Sequence, residues 1–125
     1  MTIANRNRYR NWTFAVAAGV AMLLAGATAR AEGDPAAYKA AVPALAQAGG
    51  GKACVECFLE KYAPAPFNKV FAVSKDGAYG GRWDQRKSLD WAREGALANC
   101  RKKPNYNPAN PCVIFFENDK QVWKP

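Results

Sequence analysis

The stretch "NKVFAVSKDG", Asn68 to Gly77, decides how the chain is read. Val70, Ala72 and Ser74 point one way, and Phe71, Val73 and Lys75 point the other. That period of two is the signature of a strand, and Asp76-Gly77 ends it in a turn. The next ten residues, "AYGGRWDQRK" (78–87), read as a connection in which Gly80-Gly81 allow unusual backbone angles. Ser88 to Cys100 is the best helix, with Leu89, Ala92, Ala96, Leu97 and Cys100 forming one apolar stripe. Ser88 serves as N-cap, Asp90 suits the first turn, and Arg101, Lys102 and Lys103 suit the negative end of the helix dipole. "KPNYNPANP" is a loop, since its prolines deny regular structure. "PCVIFFE", Pro111 to Glu117, is a hydrophobic and central strand; Asn118-Asp119 turns it into a short edge strand, Lys120 to Trp123. Residues 68–125 therefore read as a β-α-β-β module of α/β or α+β class, with a right-handed crossover between a parallel pair and the last strand antiparallel.

Residues 32–67 read as a helical segment. Asp34-Pro35 carries the cap and first-position signature of a helix start, but Pro43 breaks or frays that helix. Gly49-Gly50-Gly51 makes a flexible joint. Lys52 to Tyr62 is a short helix with Cys54, Phe58 and Tyr62 on one face, ended by Ala63-Pro64-Ala65-Pro66. These helices are expected to cover the open face of the sheet or to pack at one end.

Residues 1–31 read as a signal peptide. Arg6, Arg8 and Arg10 form a positive leader, Thr13 to Thr28 an uncharged apolar run, and Ala29-Arg30-Ala31 a small-x-small cleavage pattern. The apolar run is short of the roughly 20 residues of a spanning helix, so the processed chain is not expected to span a membrane. Cleavage after Ala31 removes four of the 18 Lys+Arg and none of the 10 Asp+Glu, which lowers the net charge from +8 to +4. A mildly basic, exported domain gives little motive for nucleic-acid binding; the expected location is periplasmic or secreted. A chain this small gains from covalent help, and four cysteines on an export route read first as two disulfides.

"VFAVSKDGAYGGRW", "AREGALANC" and "PCVIFFENDKQVW" resemble small exported bacterial domains of unknown function, of the kind grouped as domain of unknown function 4189. The shared pattern is a strand ending in Asp76-Gly77, the small loop Ala78-Tyr79-Gly80, a helix ending Ala96-Leu97-Ala98-Asn99-Cys100, and Cys112 opening the next strand. It covers residues 68–123. The resemblance implies a module with a Cys100–Cys112 bridge and implies no activity. That bridge leaves Cys54 and Cys57 to pair with each other; a crossed pairing that ties the N-terminal helix to the module stays open, because four cysteines allow three connectivities.

The "CVEC" of Cys54-Val55-Glu56-Cys57 has redox, metal and structural readings. A glycine run before a cysteine at a helix start favours a thiolate. Against that, no strand precedes the helix, and the charge of Glu56 opposes thiolate formation. The chain has no His, and its other two cysteines are twelve apart, so neither a zinc site nor a His-based hydrolytic site is expected. Asp76, Asp84 and Asp90 read as a turn, a loop bond and a helix start rather than as a carboxylate pair. No cofactor motif appears. Tyr79, Arg82 and Trp83 are the ligand-binding candidates, two flat faces beside a guanidinium that can fork onto an anion; the competing reading is that Trp83 and Trp91 fill the core. The expectation is thus a non-enzymatic binding or interaction domain for an unidentified protein or envelope component. The alternatives are a thiol–disulfide redox protein using Cys54 and Cys57, and a secreted factor acting on another cell.

Overall fold

A computed structural model describes residues 33–125; the expected signal peptide lies outside them. Among the described residues the class is α+β, with four helices and a four-stranded sheet that is antiparallel throughout. Strand β1, Lys69–Val73, is buried along its whole length. It turns through Lys75-Asp76-Gly77 into β2, Tyr79–Trp83, in register from Lys69↔Trp83 to Val73↔Tyr79. The three-residue loop needs a left-handed last residue, and Gly77 at φ 89° supplies it. Residues 78–87 are therefore only partly a connection. Their glycines hid a strand, and Gly80 and Gly81 are used for space rather than for unusual angles. A side chain on Gly80 would stand 2.4 Å from the backbone N of Cys100, so the next helix lies directly on the strand backbone.

That helix, α4 (Leu89–Arg101), starts where Ser88 Oγ accepts from the Trp91 amide. Its small residues Ala92 and Ala96 let it settle on Val70 and Ala72 of β1, and Gly95 leaves room for the Arg82 side chain of β2. Strand β3 is Val113–Glu117 and β4 is Lys120–Gln121, giving the order β2-β1-β3-β4. The expected parallel pairing of the first strand with the 111–117 strand is not formed; those strands pair antiparallel. Because β2 and β3 both run against β1, they run parallel to each other, and α4 is the crossover between them. The reversal arises from the extra strand. The register shifts from Phe71↔Phe116 to Ala72↔Ile114, so Phe115 is a bulge residue without a partner on β1. The bulge turns consecutive Phe115 and Phe116 to the same face, where both rings meet Phe58 at 5.8 and 5.1 Å.

The N-terminal helices cover that face. Helix α1 (Pro35–Ala40) is capped by Asp34, and α2 (Val42–Ala48) carries Pro43 in its first turn, so the chain breaks at Ala41 as the proline requires. Gly49 at φ 123° ends α2 against the Ser74 carbonyl, a tight junction rather than a flexible joint. Helix α3 (Lys52–Cys57) widens into a π turn, Phe58–Tyr62. Cys54, Phe58 and Tyr62 form the buried stripe that their spacing predicts. Lys69, at the start of β1, is wholly buried beneath this π turn. No helix among the described residues is long and apolar enough to cross a membrane.

Candidate functional site

The alternation of β2 separates the three ligand-binding candidates. Tyr79 and Trp83 pack on the face shared with the N-terminal helices, where Trp83 meets Tyr62 and Tyr79 stacks on Phe71. Arg82 points to the opposite face. Its stem fills the space above Gly95, and its guanidinium lies 4.2 Å from the Trp91 ring centroid. The expected trio of Tyr79, Arg82 and Trp83 is therefore not one site, because neighbours along a strand face opposite ways. The part-buried Trp83 and Trp91 each pack against a core, in line with the competing reading.

Tyr79 and Trp83 gain other neighbours. A cleft of about 420 Å³ runs along β2, between Cys57 on one side and Asn99, Lys102 and Lys103 at the end of α4. Lys103 Nζ sits 4.4 Å from the centroid of the Tyr79 ring. Asn99 Nδ2 donates to the Gly81 carbonyl at 3.0 Å, which fixes the end of α4 against the strand. Desolvation, followed by the fields of Cys57, Cys54 and Glu56, raises the Tyr79 phenol above its usual pKa. The sequence signal for Lys102 and Lys103 is present, but by itself it marks them only as partners of the helix dipole.

Cys100 and Cys112 form the expected disulfide. Cys54 and Cys57 are free thiols, so the second expected bridge is not formed. Cys54 turns into the core beside Leu45, while Cys57 lines the cleft. Burial first, then the neighbouring Cys57, pushes the Cys54 thiol up to about 12, with Lys103 opposing. Burial also raises Cys57, against Lys61 and Lys103. The obstacle to a reactive thiolate is thus burial more than the charge of Glu56.

The buried thiol ties stability to pH. Cys54 ionises near 9 when the chain is unfolded and near 12 when folded. Its contribution is complete below pH 9 and is lost as pH rises from there toward 12, by about 1.4 kcal/mol per pH unit. Cys54→Ala is expected to flatten the stability–pH slope between pH 9 and 10.5, measured by urea unfolding. An unchanged slope would show that the buried thiol is not its source.

The carboxylates stay apart, each with a local partner. Asp76 accepts from Asn110 at 3.0 Å. Asp84 accepts from the side chain and then the backbone of Arg86, which hold its carboxyl below the usual range. Asp90 pairs with Arg93, which also forks onto Glu117 at 2.6 and 3.0 Å. No group of three or more His, Cys, Asp or Glu that could hold a metal ion occurs among the described residues. No family model, curated protein or solved structure matches the chain.

Proposed function

We propose that the chain is an exported, non-enzymatic binding domain and that the cleft along β2 is its ligand-facing surface. The observation that carries this reading is the cleft's lining: two part-exposed aromatic rings, Tyr79 and Trp83, opposite Lys102 and Lys103. Flat apolar faces beside cations suit an anionic partner and need no reacting group. The raised thiols speak against the redox alternative, since thiol exchange needs a thiolate. Export rests on the leader, the apolar run and Ala29-Arg30-Ala31.

Protein recovered from the periplasm is expected to have the intact mass of a chain beginning at Glu32. When that protein is ¹⁵N-labelled and titrated with envelope extract, amide shifts should concentrate at Cys57, Tyr79, Gly81, Trp83 and Lys103. Lys103→Glu should suppress them. Shifts confined to other surfaces, or none, would refute the cleft as the binding surface; retention of Met1 would refute processing.

A further inference from the structure

The hydrogen-bond alternation of the β1–β2 hairpin identifies which groups of β2 face outward. The Ser74 amide donates to the Ala78 carbonyl at 2.8 Å, and the Asp84 amide donates to the Asn68 carbonyl at 3.2 Å. In an antiparallel pair the bonded residues alternate, so Ala78, Gly80, Arg82 and Asp84 turn their backbone groups to β1. Tyr79, Gly81 and Trp83 turn theirs to the open edge, for β2 is the outermost strand on that side of the sheet. Asn99 covers the Gly81 carbonyl. The outward groups that remain are the three amides and the carbonyls of Tyr79 and Trp83. Gly81 has no side chain and is part-exposed, so what it shows to solvent is backbone.

Natural edges are usually blunted by a bulge, a proline or a charge pointing inward. The bulge of this sheet lies on β3 instead, and β2 contains no proline. Its one charged side chain, Arg82, lies back over Trp91. The same three outward-facing residues line the cleft described above.

We propose that this edge accepts an extended, acidic peptide segment of a partner protein as a fifth strand. The inference rests on the binding-surface reading and names its ligand class. Strand addition draws affinity from main-chain bonds and specificity from flanking side chains. Here the flank is basic: Lys102 and Lys103 line the cleft. Glu56 is the acidic side chain that acts on Tyr79. Alternate carboxylates on the incoming strand would meet these ammonium groups, while its other side chains lie against Tyr79 and Trp83. A second copy of this chain is a poorer occupant, because edge-to-edge pairing would bring both sets of lysines to one seam.

The probes are an acetylated eight-residue peptide of alternating Glu and Thr, its Gln–Thr counterpart, and the Glu–Thr peptide N-methylated at every residue. The readouts are affinity and residue-resolved amide exchange in the mature protein. Saturating Glu–Thr peptide should slow exchange at Tyr79, Gly81 and Trp83 by about tenfold or more, a factor that corresponds to ~1.4 kcal/mol. Gly80 and Arg82, already bonded to β1, should change little. Lys102→Glu with Lys103→Glu should weaken binding about tenfold, as charge reversal beside a docked strand does. The Gln–Thr peptide should bind more weakly, and the N-methylated peptide should not slow those amides.

Absence of protection at the three amides, or equal protection by the N-methylated peptide, would overturn strand addition. Equal affinity for the Gln–Thr peptide would overturn the acidic class. Protection that grows with protein concentration alone would make the occupant a second copy. Should the peptides fail while envelope extract still shifts the cleft, the strand inference falls and the binding-surface reading stands; should both fail, both fall.

Discussion

Replacing Cys100 and Cys112 together by alanine is expected to lower unfolding stability by about 3 kcal/mol, and replacement by serine by up to about 5. The bridge joins residues twelve apart, at Cα–Cα 6.2 Å, and so closes the loop between the last turn of α4 and the entry to β3. By chain-entropy reasoning, a loop of that size confines the unfolded chain by about 3 kcal/mol. The cysteines also lie in the α4-side core with Val70, Ala72 and Ala78. Serine hydroxyls there would need partners that the surrounding aliphatic side chains do not offer, which is why serine should cost more than alanine. Denaturant unfolding of the two double variants, beside wild type with and without reductant, separates these effects. Reduced wild type should approach the alanine variant, since Cys54 and Cys57 carry no bridge to lose. A loss under about 1 kcal/mol, below the range for a native bridge, would show that the loop is held by its own packing.

The elements with strong periodicity are legible in the sequence. The stripe of α4, the Ser88 cap and the Asn118-Asp119 turn all stand where the pattern puts them. Strand β2 is not legible, because "YGGRW" offers two glycines in five residues where a strand usually shows branched or aromatic side chains. The cause is tertiary: Gly80 exists for the backbone of Cys100, a contact that no local pattern announces. With that strand hidden, the crossover falls to the wrong pair, the sheet acquires a parallel pair of neighbours, and Tyr79, Arg82 and Trp83 look like a loop cluster. Once they alternate along a strand, only Tyr79 and Trp83 stay together, and the cations that join them come from the far end of α4. The bulge is hidden for a related reason, since adjacent Phe115 and Phe116 look like neighbours on opposite faces until the register is known.

The least legible residue is the one whose loss should be felt most. Lys69→Met is expected to lower stability by about 3–5 kcal/mol, on the scale of breaking a buried charged network. Its side chain is wholly buried, and Nζ donates to the carbonyls of Tyr62, Ala63 and Ala65 at 3.0, 2.9 and 2.7 Å. An ammonium has three donors, and these three acceptors lie where the π turn runs out; the Tyr62 carbonyl also accepts from the Ala65 amide at 3.0 Å, so the Ala63 and Ala65 carbonyls depend most on the lysine. Nζ also stands 4.7 and 4.9 Å from the ring centroids of Tyr38 and Tyr62, so it joins α1, the π turn and β1 at one point. The backbone of Lys69 reinforces the junction: its amide donates to Asn118 Oδ1, and its carbonyl accepts from the Asn118 amide and the Tyr62 hydroxyl. Methionine would match the length and apolar stem but leave carbonyls facing a thioether, at about 1–3 kcal/mol for each one stranded. Lys69→Arg should not restore stability, because a planar fork cannot place three donors on the same acceptors in a closed space. Denaturant midpoints for wild type, Lys69→Met and Lys69→Arg measure this directly. If Lys69→Met matches wild type, the carbonyls are satisfied by other means and Lys69 is not what fastens the N-terminal helices to the sheet.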